Sequence, residues 1–107
     1  MWDTENPNLY TVKTEIAASD GSLDESVTRI GFRTVEISPE KGLLLNGKKT
    51  YIKGVCSHQD YGLTGLAVPD NVARYKIELM KEMGANGFRT THYQNSDANM
   101  DAFDELG

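Results

Sequence analysis

The chain has 107 residues, 38% hydrophobic and 25% charged, which is room for one ordinary globular domain and not the composition of a disordered segment. Its formal charge is −5, from 11 basic and 16 acidic residues, and it has no basic run, so neither nucleic acid nor an anionic membrane is an expected partner. The single cysteine excludes an internal disulfide, no apolar run approaches the length of a bilayer span, and the first residues do not read as a signal peptide; the compartment stays open, with the cytoplasm slightly favoured.

Residues 1–8 are loop-like, with Asn6-Pro7-Asn8 as turn punctuation. From Leu9 to Ala18 the chain alternates, with Tyr10, Val12, Thr14 and Ile16 on the more apolar side, which predicts a half-buried strand. Ser19-Asp20-Gly21-Ser22 is a turn. Ser26 to Ile37 predicts a second strand that pairs with the first as a hairpin, and Gly31 within it marks a bulge or a close approach. Ser38-Pro39-Glu40-Lys41-Gly42 reads as a breaker and a candidate domain boundary. Leu43 to Lys53, folded about Asn46-Gly47, reads as a hairpin with a type I′ turn. Its second arm continues into a short strand, Tyr51 to Cys56, and loop signals run from Ser57 to Pro69.

Residues 70–83 predict a helix capped by Asp70 or Asn71, with an apolar stripe of Val72, Ala73, Ile77, Leu79, Met80 and Met83, and with Gly84 at its C′ position. A strand, Gly87 to Thr91, follows. A second helix, from about Asp97 to Leu106, places Met100, Phe103 and Leu106 on one face. The first third is thus all-β and the last half reads strand, helix, strand, helix. The expected division is 1–38 and 39–107, in a mixed α/β chain without internal repeats.

The strand at Gly87 runs into two strongly polar groups, Arg89 and His92. That is expensive unless they act at the strand's open end, and in parallel α/β architectures ligands bind there. His58 also follows a short apolar strand, so both imidazoles can offer donors and acceptors to a polar ligand. A buried Arg89 needs a carboxylate partner, and the chain supplies no obvious one. Arg89 and His92 are three apart, which a regular strand would point to opposite sides. A metal site built from Cys56, His58, Asp60 and His92 lacks the paired spacing of strong zinc patterns. Cys56 and His58 are too close in sequence for a nucleophile and its base. Cys56 is therefore expected as a small buried apolar residue, with no metal and no cofactor.

The segment Asn86-Gly87-Phe88-Arg89-Thr90-Thr91-His92-Tyr93, with Asp104 and Gly107 after it, closely resembles a motif of glycoside hydrolase family 2. Asn6-Pro7-Asn8-Leu9-Tyr10, Gly31-Phe32-Arg33, Leu45-Asn46-Gly47-Lys48 and Lys53 to Asp60 resemble further landmarks of that family, in the same order. The resemblance covers nearly the whole chain, and Gly54 to Asp60 with Gly65 to Asp70 is most similar to the β-galactosidase branch. Gln94 stands where the motif has proline, and Asn99 where it has an apolar residue.

The resemblance implies that residues 1–38 are the C-terminal strands of an immunoglobulin-like β-sandwich. It implies that 39–107 form the first two β/α units of a (β/α)8 barrel. His58, Arg89 and His92, with Asp60, would then line a sugar subsite. The family's two catalytic glutamates would lie beyond Gly107, in keeping with a piece of a longer protein. The expected parent is a retaining hydrolase of terminal β-galactosides, with β-glucuronidase and β-mannosidase as alternatives, and the chain alone is expected to be inactive, marginally stable or dimeric. A β-rich carbohydrate-binding module and a metal-dependent hydrolase using His58, Asp60 and His92 are the rival readings.

Overall fold

The computed structural model describes residues 1–107 as a mixed α/β chain of seven strands and two helices. β1 (Tyr10–Ala17) and β2 (Leu23–Ile30) form an antiparallel hairpin in the register Tyr10↔Ile30 to Ala17↔Leu23. All of β1 is exposed, Val12 and Ile16 included, so the half-buried strand expected from its alternation is not found. A polar link ties the hairpin to the rest of the chain, through Arg29 to Asp101 and Glu105.

The second predicted strand divides. β2 ends at Ile30, and β3 (Val35–Ser38) turns away to pair with β4 (Gly42–Leu45). The cause is Gly31. A Cβ there would stand 2.9 Å from the Cβ of Trp2, so the chain leaves the hairpin where Trp2 packs against bare backbone, the close approach foreseen for this glycine. Pro39 and its neighbours, expected as a breaker, are the turn of the β3–β4 hairpin, whose last pair is Ser38↔Gly42. The Asn46-Gly47 turn forms as its chemistry demands, with φ 51° at Asn46 and 76° at Gly47. Its second arm is shorter than predicted, only β5 (Lys48–Lys49), and β6 (Gly54–Ser57) starts anew.

β6 and β7 (Gly87–Thr90) pair in parallel, Gly54↔Gly87 to Ser57↔Thr90, across the crossover helix α1 (Asp70–Glu82). Pro69, not Asp70 or Asn71, holds the N-cap position, and no side chain caps the helix. The C-terminus closes in a Schellman motif, with Gly84 at φ 93° donating to the Lys81 carbonyl and Ala85 to that of Met80. α1 buries the line Ala73, Ile77, with Met80 beside them, whereas Leu79 and Met83 of the predicted stripe stay exposed.

The last helix is α2 (Asp97–Leu106). Its packed face runs through Asn99, Ala102 and Phe103, while Met100 is 43% exposed at the edge of that face. Phe103 meets Phe88 of β7 at 4.8 Å between ring centres. The small core thus lies between the outer face of β6–β7 and the two helices. A cleft of about 330 Å³ there is lined mainly by apolar groups such as Val55, Ile77, Met80, Phe88 and Phe103. His58, Arg89 and His92 do not line it.

The two regions are tied at α2. Trp2 is buried, and its Nε1 donates to the Asp104 carbonyl at 2.7 Å. The guanidinium of Arg33 lies 4.8 Å from the Trp2 ring centre. Glu105 of α2 pairs with Arg29 of β2 and with Arg74 of α1.

Candidate functional site

Parallel pairing sets the site. The register Val55↔Phe88 and Cys56↔Arg89 sends Val55 and Phe88 toward the helices, since successive side chains alternate. Cys56 and Arg89 therefore share the opposite, open face. This overturns the expectation that Cys56 is a buried apolar residue. Its thiol is exposed, 2.8 Å from the Thr91 hydroxyl, and it accepts from Arg89 Nη1 at 3.3 Å. The Thr91 hydroxyl first, then the Arg89 guanidinium, lower its pKa.

β7 ends at Thr90, and this removes the difficulty of the three-residue spacing between Arg89 and His92. Beyond the strand the alternation no longer holds, and Arg89 Nη2 lies 3.4 Å from His92 Nδ1. Guanidinium can only donate, so Nδ1 is the accepting atom of this pair. The Thr91–His92 peptide is cis. His58, directly after β6, meets His92 edge to face, with ring centres 5.7 Å apart, and Tyr93 at 6.0 Å. His58, Arg89 and His92 thus converge at the C-terminal end of the two parallel strands.

Asp60, the fourth residue singled out, is exposed in the loop after β6 and forms no ion pair or hydrogen bond. Arg89 is exposed and has no carboxylate partner within the chain. The chain holds no cluster of three or more His, Cys, Asp or Glu side chains able to bind a metal. The arrangement offers two imidazoles, a guanidinium and a phenol on one open surface. That set can donate to and accept from several hydroxyls at once.

Sequence reasoning missed the supports of this surface. Lys76 of α1 donates to the His58 carbonyl at 2.8 Å. Gln59 Oε1 accepts from the Ser96 amide at 2.8 Å. Thr91, Asn95 and Asn99 are buried polar residues beneath the loop, and Asn99 Nδ2 donates to Asn95 Oδ1 at 3.0 Å. Among these, only Asn99 carried a signal, as a polar residue in an apolar slot.

Comparison with known proteins decides the family. The model for the TIM barrel domain of glycosyl hydrolases family 2 matches residues 35–107, and a second model of glycosyl hydrolases family 2 matches residues 1–33. The chain belongs to glycoside hydrolase family 2. A β-galactosidase of Bacteroides ovatus is 36% identical over 107 residues, which is 100% of this chain and 13% of that protein. A family 2 crystal structure from Bacteroides cellulosilyticus superposes with a TM-score of 0.93 at 40% identity, over 100% of this chain and 15% of the other. A β-glucuronidase of Parabacteroides merdae gives 0.91 at 34%, over 100% and 13%. The chain therefore spans about one eighth of the relatives it matches.

Proposed function

We propose that this chain is part of a retaining β-glycosidase and supplies sugar-positioning groups. The observation that carries this reading is the convergence of His58, Arg89 and His92 at the C-terminal ends of β6 and β7. In a (β/α)8 barrel that end is where substrate binds. On this reading, residues 1–38 close an immunoglobulin-like sandwich and 39–107 open the barrel. Asp60 is proposed as a further hydroxyl acceptor.

The substrate class proposed is a terminal β-galactoside. The motif from Gly54 to Asp70 and the Bacteroides ovatus β-galactosidase support it. A β-glucuronide is the second reading, favoured by the likeness to the Parabacteroides merdae enzyme. Double displacement needs two carboxyl groups about 5–5.5 Å apart across the scissile bond. The open surface of this chain brings no carboxylate to its histidines. The chain is thus proposed to bind and orient, with the chemistry supplied by other parts of the full-length protein.

A panel of chromogenic glycosides tests the reading. The full-length protein should hydrolyse p-nitrophenyl β-galactoside faster than the β-glucuronide and the β-mannoside, and the 107-residue chain should hydrolyse none. Faster turnover of the glucuronide selects the second reading. Turnover by the chain alone refutes the division of labour.

A further inference from the structure

Among the supports of this surface, the Gln59 side chain makes a bond that nothing else in the chain replaces. His58 and His92 sit on two different connections, 58–69 after β6 and 91–96 after β7. The parallel ladder that fixes the strands ends where the Thr91 amide donates to the Ser57 carbonyl at 3.3 Å. Past that point one hydrogen bond joins the two connections, from the Ser96 amide to Gln59 Oε1 at 2.8 Å. Ser96 is the N-cap residue of α2, and its own side chain caps nothing. Gln59 therefore fixes where the helix begins relative to the residue next to His58.

The same end of the connection is held a second time, through Asn95. Asn95 and Asn99 are 4% and 5% exposed and bonded to each other at 3.0 Å. The loop bearing His92 and Tyr93 thus lies between β7 and a pinned Asn95-Ser96 corner. A shift of that corner would move His92 against His58.

We propose that Gln59 is a positioning residue that sets the spacing of His58 and His92, and that the Asn95–Asn99 pair completes the same brace. The inference rests on the reading of these histidines as sugar-positioning groups. Its chemistry is narrow. Position 59 must present an acceptor to a backbone N–H, so Gln59→Glu keeps the function and Gln59→Leu does not.

The test uses the full-length protein with whichever chromogenic β-glycoside it turns over. Misplacing a positioning group by about 1 Å can cost as much as about a hundredfold, so Gln59→Leu should lower kcat at least about tenfold. KM should change less, because the loss falls on the transition state. The thermal midpoint should stay within a few degrees of wild type, and Gln59→Glu should restore kcat. Crystal structures of the variants supply an activity-free readout: Gln59→Leu should change the 5.7 Å ring separation and Gln59→Glu should keep it. Unchanged kcat in Gln59→Leu, an equal loss in Gln59→Glu, or an unchanged ring separation in Gln59→Leu overturns the proposal. If the wild type turns over no β-glycoside, the proposed function fails by itself, and the ring separation alone decides the role of Gln59.

Discussion

Trp2 donates from its indole nitrogen to the carbonyl of Asp104 at 2.7 Å, across almost the whole length of the chain. The contact joins the segment that precedes the hairpin to the last turn of α2, and it exists because Gly31 leaves room for the ring. The three atoms nearest a Cβ built at Gly31 all belong to Trp2, at 2.9–3.0 Å. Gly31→Ala should therefore push Trp2 off Asp104 and cost about 1–3 kcal/mol, the usual range for overpacking. Thermal unfolding of the chain checks this, with Trp2 fluorescence as the local probe. An unchanged midpoint and an unchanged emission maximum would contradict it.

Glu105 divides its two oxygens between Arg29 of the hairpin and Arg74 of α1. Its carboxyl pKa is lowered, by Arg29 first and Arg74 next. Asp101 also faces Arg29, at 3.3 Å, and Glu78 faces Arg74, at 2.9 Å. A carboxylate whose pKa is lower folded than unfolded stabilises the protein fully above its unfolded value. The contribution is lost as the pH falls through the lowered folded value. Glu105→Gln should therefore unfold at a lower temperature than wild type near neutral pH, and the gap should narrow in acid. Because the pair is partly exposed, added salt should narrow it too. Melting curves at several pH values decide the matter. A gap that persists undiminished at about pH 3, below the ordinary carboxylate range, would contradict this account.

Cys56 is exposed, and its thiol pKa is lowered by Thr91 and Arg89. Alkylation proceeds through the thiolate. Iodoacetamide should thus modify Cys56 faster near neutral pH than it modifies a free cysteine. Thr91→Val and Arg89→Gln should each slow the reaction. Mass spectrometry of timed samples gives the rates, and rates that ignore both substitutions would refute the environment described.

What could be read in advance was local. Asn46-Gly47 announces a I′ turn because both positions need positive φ, and Gly84 announces a helix end for the same reason. Arg89 and His92 stood out because charge at the end of an apolar strand is costly. The misreadings have separate causes. β1 looked half-buried because alternation shows which side is apolar but not whether anything covers it, and Cys56 looked buried because a cysteine without a metal or catalytic role packs as a small apolar residue. The long strand through Gly31 was wrong because its interruption depends on Trp2, far away in sequence. The supports of the site were hidden likewise. Gln59 reaches Ser96 and Lys76 reaches His58 only after α1 has brought β7 beside β6.

The central claim is that the histidine–arginine cluster positions a sugar. The most direct measurement is kcat/KM of the full-length protein on its preferred chromogenic β-glycoside, with and without His92→Ala. His92 lies between Arg89 and His58, so its loss would remove the proposed sugar contact and the neighbour of both other groups. The account predicts a fall of about a hundredfold or more, with thermal stability unchanged. A variant that retains wild-type kcat/KM would contradict it.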